Sequence, residues 1–80
     1  MSEILKYKGR LAELETEKLE LELRLSSLRD TIRDNLDPFA DIMELKGDRV
    51  AANGMEFATK QILYKTTLDK IAAIKKALGR

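Results

Sequence analysis

A heptad repeat of apolar residues in the first 35 positions constrains the fold of this chain more than any other feature. Apolar side chains fill eight of the ten a and d positions of the repeat, namely Ile4, Tyr7, Leu11, Leu14, Leu21, Leu25, Leu28 and Ile32. Sustained apolar occupancy of these positions is typical of a coiled coil. Leu, Glu, Lys and Arg, all good helix formers, fill most of the remaining positions. The pattern therefore predicts one long helix from about residue 2 to about residue 36.

Two polar residues interrupt the heptad, Lys18 at an a position and Asn35 at a d position. Single polar residues at such positions can set the register or the number of helices in a coiled coil. The alternative is that the Lys18 side chain extends to solvent and Asn35 lies at the frayed end of the helix. The sequence leaves both interpretations open.

The first helix carries more apolar surface than a two-stranded coiled coil uses. A second stripe, formed by Leu5, Ala12, Leu19 and Leu23, lies beside the heptad and predicts contacts with more than one neighbour.

The charges that flank the heptad favour an antiparallel pair of these helices. In a parallel homodimer Glu17 faces Glu22 and Arg24 faces Arg29. In an antiparallel pair centred near residue 20, Glu17 instead meets Arg24.

A turn at Asp37 and Pro38 separates the first helix from the rest of the chain, because proline disfavours helical geometry in the residue before it. We expect Asp37 to cap a short helix over residues 38–46 and Gly47 to end that helix in a left-handed conformation. Asp48 is then the expected cap of a return helix over residues 48–78. Asn53 and Gly54 resemble a turn, so the return helix either tolerates them or begins after them.

The return helix is amphipathic, and its predicted core residues are Phe57, Tyr64, Leu68 and Ile71. Eighty residues make one domain at most. The prediction is an all-α antiparallel helical hairpin with a long coiled-coil first helix, a short connecting helix and a return helix. Two helices cover only one side of each other, so we expect a dimeric or tetrameric helical bundle, unless a partner protein supplies the missing helices.

Enzymatic activity is not expected, and neither a cofactor nor a metal site is predicted. The chain has no cysteine and no histidine, which removes the usual thiol nucleophile, proton shuttle and zinc ligands. The best candidate for a cation site is a set of four carboxylates near the turn, Asp37, Asp41, Glu44 and Asp48. Helix capping explains two of the four, and no EF-hand spacing is present.

Charge is balanced overall, with 15 basic and 14 acidic residues, but it is unevenly distributed. Residues 61–80 hold five basic residues and one acidic residue. The alternative function is therefore a nucleic-acid-associated accessory or regulatory protein whose contacts are Lys65, Lys75, Lys76 and Arg80. An overall balance of charge argues against a general polyanion binder. No apolar run approaches the roughly 20 residues that cross a bilayer, and with no secretory signal visible we expect a cytoplasmic protein.

The segment GDRVAANGMEFATKQILYKTTLDKIAAIKKALG resembles the C-terminal half of small uncharacterised helical proteins encoded in Mu-like prophage regions. The resemblance covers at most about 40 residues and includes no catalytic or ligand-binding motif. It implies a bacterial or phage cytoplasmic setting and no particular chemistry. The main functional prediction is a non-enzymatic coiled-coil module for oligomerisation or protein interaction.

Overall fold

Two long helices packed against each other as a hairpin make up the fold, confirming the all-α prediction. The computed structural model describes residues 2–80, which form α1 (Glu3–Asn35), a 3-10 turn (Ile42–Glu44) and α2 (Gly47–Ala77). The hairpin is a rod of 61 × 18 × 14 Å. Its bend, where α1 gives way to α2, lies at one end of the rod. The first turns of α1 and the last turns of α2 lie together at the other.

Local signals explain where α1 begins and ends. Ser2 has an extended backbone, and its Oγ accepts a hydrogen bond from the Leu5 amide at 3.3 Å, which makes it the N-cap. Glu3 in the first turn and Arg33 in the last turn have the charges that the helix dipole favours. The Leu36 amide closes the helix by donating to the carbonyls of Arg33 and Ile32.

The connection does not form the predicted helix over residues 38–46. Its helical part is limited to the 3-10 turn Ile42–Glu44. Asp37 does not cap a helix, because none begins at Pro38; its Oδ1 accepts from the Phe39 amide at 2.9 Å and closes a local turn. Asp41 and Leu45 on either side of the 3-10 turn are extended, with ψ of 148° and 138°. These extended residues prevent the turn from growing into a longer helix.

The expectations for Gly47 and Asp48 were wrong in detail. Gly47 is the first residue of α2 and does not end the preceding segment. Lys46 occupies the N-cap position without a side-chain hydrogen bond, and Asp48 lies in the first turn, where its charge suits the helix dipole. Among residues 2–80, only Gly79 has a positive φ, 76°, and it follows the end of α2 as expected of a C-terminal glycine.

α2 continues without interruption through Asn53 and Gly54. A Cβ placed on Gly54 would meet no atom within 4 Å, so no close helix crossing requires a glycine there. We therefore expect Gly54→Ala to raise the free energy of unfolding by up to about 1 kcal/mol, since alanine restricts the unfolded chain and favours helix. Urea unfolding checks this, and an unchanged or lower stability would show that Gly54 makes a contact that this fold lacks.

The inner face of the hairpin contains few fully buried side chains. Leu11, Leu14 and Ile71 form one buried cluster, with Ile74 and Leu78 packed against it. Leu28 is also buried, and lies nearer the bend. Most of the well-packed core therefore lies toward the end of the hairpin remote from the connection.

Candidate interaction surfaces

The predicted core residues divide into three groups in the structure. Leu11, Leu14, Leu28 and Ile71 are buried. A second group is half-buried on the inner face, comprising Leu21, Leu25, Ile32, Phe57 and Tyr64. The third group is exposed and consists of Ile4, Tyr7 and Leu68. Ile4 and Tyr7 lie in the first turns of α1. Leu68 follows the buried Thr67 in α2 and lies beside the inner face.

Several inner-face residues of α2 are absent from the sequence prediction. Val50, Lys60 and Thr67 are half-buried or buried, and Asn53 is half-buried beside them. The inner face of α2 follows its own heptad, because Val50, Phe57, Tyr64, Ile71 and Leu78 are seven residues apart. Polar residues at the alternating positions Asn53, Lys60 and Thr67 hide this repeat. The Thr67 hydroxyl is accommodated because it donates to the Leu63 carbonyl at 2.9 Å.

One ion pair joins the two helices. The Arg24 guanidinium donates through Nε and Nη2 to both Glu56 carboxylate oxygens, at 2.5 and 2.7 Å. The hydrogen bond from Arg24 lowers the pKa of Glu56 and raises the pKa of Arg24. Arg24 thus pairs with α2 of its own chain, while its pairing with Glu17 of a second α1 stays a prediction. The antiparallel partner of the α1 heptad is α2.

The lowered pKa of Glu56 gives the hairpin a pH dependence of known sign. Because the unfolded chain binds the Glu56 proton more readily, the stabilisation is present above the unfolded pKa and is lost as pH falls through the folded pKa. We expect Glu56→Gln to destabilise the hairpin at about pH 7 and to match the parent chain at about pH 3. Glu15→Gln is the matched control, since Glu15 is exposed on α1 and its replacement removes the same charge. Equal pH profiles for both variants in thermal unfolding would contradict the assignment.

Asn35 is the polar residue whose surroundings differ most from expectation. Its Nδ2 is buried and has no hydrogen-bond partner, although Asn35 is the last residue of α1. An unpaired buried donor costs about 1–3 kcal/mol. We expect Asn35→Leu to raise the free energy of unfolding by about 1 kcal/mol, and Asp34→Leu next to it to change little. Destabilisation by Asn35→Leu in urea titrations would show that the amide has a partner.

The four carboxylates near the turn do not assemble into a cation site. In the described part of the chain, no group of three or more histidine, cysteine, aspartate or glutamate side chains is placed to hold a metal ion. Asp37 is engaged with the Phe39 amide, and Asp48 lies in the first turn of α2. Asp37 and Asp48 therefore have structural roles, in the turn and in the first turn of α2.

The hairpin brings basic residues from both termini together. We define the open end as residues 2–10 and 70–80, which carry seven basic side chains and one acidic side chain. The predicted contacts Lys75, Lys76 and Arg80 lie here and are exposed, whereas Lys65 lies closer to the bend. Lys6, Lys8 and Arg10 of α1 join them only because the chain folds back.

The hairpin tip, defined as residues 34–48, has the opposite charge and exposes large apolar side chains. It holds five acidic residues and one basic residue. Phe39 is 94% exposed, Met43 92% and Ile42 80%. The molecule is therefore basic at one end and both acidic and apolar at the other.

Each helix also has an uncharged surface that faces away from the inner face. The α1 outer stripe is Leu5, Gly9, Ala12, Thr16, Leu19, Leu23 and Ser26, all exposed. The α2 outer face is Ala51, Ala52, Met55, Ala58, Thr59 and Ile62, also all exposed. The Thr16 and Thr59 hydroxyls donate to the Ala12 and Met55 carbonyls, so these threonines present mainly their methyl groups. Both surfaces are suited to contact with another helix.

No described helix of residues 2–80 contains an apolar window that could span a membrane. No family model, curated protein or solved structure matches this chain.

Proposed function

We propose that this chain is a non-enzymatic helical module that assembles through coiled-coil or bundle contacts, first of all with copies of itself. The observation that carries the proposal is its excess of exposed surface. A compact monomer of 9.1 kDa exposes about 4,900 Å², whereas this chain exposes 6278 Å². The difference exceeds the roughly 800 Å² that each partner buries in a standard protein interface.

The nature of the exposed surface supports the same proposal. Leucine and isoleucine side chains at Leu5, Leu19, Leu23 and Ile62 are each more than half exposed. Large contiguous apolar patches on a soluble domain mark surfaces that bind other molecules. Another helix is the natural occupant, because these residues recur at helical spacing.

Sedimentation equilibrium over a wide concentration range tests the proposal directly. We expect the mass to be a multiple of 9.1 kDa at micromolar concentration and to fall on dilution. A monomer at every concentration would contradict self-association. It would then favour the alternative in which a different protein supplies the helices that cover these surfaces.

A second candidate function is nucleic-acid binding at the open end. Its support is the convergence of Lys6, Lys8 and Arg10 with Lys70, Lys75, Lys76 and Arg80. Such a cluster attracts phosphates through an electrostatic term that is independent of base sequence. Asp69 and Glu3 lie among these residues and reduce the field, which is why we place this function second.

Fluorescence anisotropy with labelled single-stranded and duplex oligonucleotides distinguishes the two functions. Nucleic-acid binding predicts submicromolar affinity at low salt, with a loss of about 10³-fold or more between 50 and 200 mM salt if six phosphates are contacted. Lys75→Glu together with Lys76→Glu should abolish that binding, while the matched pair Lys18→Glu and Lys46→Glu, away from the open end, should not. No anisotropy change at low salt would remove this candidate.

A further inference from the structure

The α2 outer face is an unusual surface in a chain of which 36% is charged. Glu56 and Lys60 are the only charged residues between Val50 and Leu63. Both point toward α1, since Glu56 binds Arg24 and Lys60 lines a groove with Glu17. The outward side of these four turns therefore presents no charge, at a length of about 20 Å.

We propose that a second copy of this chain docks on the α2 outer face, antiparallel to the first and related to it by a two-fold axis near Ala58. This inference rests on the proposed self-association and gives it a geometry. In a two-fold interface the same surface is used on both copies. The α2 outer face must therefore complement itself.

The side chains of this face meet that requirement. Ala58 lies at its centre, and its small side chain lets two helix backbones approach closely. Met55 and Ile62 flank Ala58 at three and four residues, so Met55 of one copy lies within one residue of the level of Ile62 of the other. Each large side chain then packs beside the small central pair. Both are well exposed in the single chain, Met55 by 75% and Ile62 by 69%, so both gain from being covered.

The same register places the oppositely charged ends together. With the axis at Ala58, the hairpin tip of one copy lies beside the C-terminal turns of α2 of the other. Asp41 and Glu44 of the tip then approach Lys75 and Lys76 of the second copy. The tip has a formal net charge of −4 and the open end one of +6, so a parallel arrangement would instead set like charges together.

About 15 Å from the axis, the charges on either side of the α2 outer face sum to zero. Asp48 comes within one residue of the level of Asp69 of the second copy, a like-charge pair, and Arg49 and Lys70 lie next to them. Each group carries one charge of each sign. The electrostatic preference for the antiparallel dimer therefore comes from the ends of the molecule.

The α1 outer stripe is a poorer surface for a second copy. It is flanked by charged residues, whereas the α2 outer face is flanked by Gly54 and Gln61. When two α1 stripes pair antiparallel near Leu19, which again sets tip beside open end, Glu15 comes level with Glu22 of the copy. Lys8 likewise comes level with Arg29. These like-charge contacts disfavour the arrangement.

Cysteine cross-linking tests the position of the axis, because the chain has no cysteine of its own. A disulfide requires Cα atoms about 4.4–6.8 Å apart. We expect Ala58→Cys to form a disulfide-linked dimer under mild oxidation, since residue 58 meets its own copy. Ala51→Cys should not, because the two copies of residue 51 are about 21 Å apart along the helix. Ala12→Cys, an exposed alanine on the α1 outer stripe, is the matched control.

A substitution at the same position tests the energetics. Ala58→Glu places two carboxylates against each other, so we expect the dimer dissociation constant to rise more than about 100-fold. Circular dichroism should show an unchanged helix content, since Ala58 is exposed in the single chain. Ala12→Glu should leave the dissociation constant within about threefold of the parent value.

Salt tests the orientation. Exposed charges are screened over about 10 Å at 0.1 M salt, so an antiparallel dimer should weaken as salt rises. The combination Lys75→Glu with Lys76→Glu should weaken the dimer, and adding Asp41→Lys with Glu44→Lys should restore it. A dimer that strengthens as salt rises would overturn the antiparallel arrangement. The same conclusion would follow if the variant with all four substitutions failed to dimerise as the parent chain does.

The outcomes separate this inference from the proposed function. A monomeric parent chain contradicts both. A dimer that Ala58→Glu does not weaken, or that cross-links through Ala12→Cys instead of Ala58→Cys, leaves self-association standing and overturns docking on the α2 outer face.

Discussion

Replacing Leu14 with alanine should lower the free energy of unfolding by about 2–5 kcal/mol, the range for truncating a fully buried leucine. Leu14 is the one large side chain of the described residues with no exposed surface, and it lies in the cluster with Leu11 and Ile71. Truncation removes apolar burial and leaves a cavity between two rigid helices. Urea unfolding at a fixed protein concentration measures the effect.

Leu23→Ala is the matched control for this experiment. It makes the same chemical change on the same helix, but Leu23 is 73% exposed and belongs to the α1 outer stripe. We expect a change within about 0.5 kcal/mol. Equal losses for the two variants would show that the helix is rotated relative to this structure. Leu21 and Leu25 are half-buried, so their truncation should fall between the two.

Placing a lysine at position 71 should abolish cooperative folding. Ile71 is the buried residue that α2 contributes to the cluster with Leu11 and Leu14. An ammonium group there would lose its hydration without gaining a partner, or would force the helices apart. A chain of this length has a total stability of only about 4–12 kcal/mol. One such substitution can therefore exceed the stability that is available.

The adjacent variant Ala72→Lys isolates the effect of position. It adds the same charge to the same turn of α2, but Ala72 is exposed. Thermal unfolding followed by circular dichroism should show a sigmoidal transition for Ala72→Lys and none for Ile71→Lys. If both variants melted alike, Ile71 would not lie on the inner face of α2.

The sequence predicts α1 well because its signals agree with one another. The apolar heptad, the helix-forming residues between its positions and the turn at Asp37 and Pro38 all indicate the same helix, and the ends lie within one residue of the expectation. The inner face of α2 has a weaker apolar pattern. Asn53, Lys60 and Thr67 alternate with its apolar positions, so the face combines apolar and polar residues. The apolar pattern predicts Leu68 on the inner face, whereas Leu68 is exposed and Thr67 is buried.

The partner of α1 could not be decided from residue spacing. The charges that flank the α1 heptad predict an antiparallel pair with a second copy of α1, and that pairing stays a prediction. Within the hairpin, Glu56 joins α2 to α1 by binding Arg24 across 32 positions of the sequence. The tip posed a similar difficulty, because Gly47 fits the end of one helix and the start of the next. Extended backbone at Asp41 and Leu45 decides between them.

The rod shape of the hairpin affects how its mass must be measured. The Cα radius of gyration is 17.9 Å, against about 12 Å for a compact chain of 80 residues. A globular protein reaches that radius only at about 250 residues. Gel filtration separates by hydrodynamic size, so a single hairpin would elute ahead of globular standards of its own mass and could be mistaken for an oligomer. Sedimentation equilibrium is independent of shape and avoids that error.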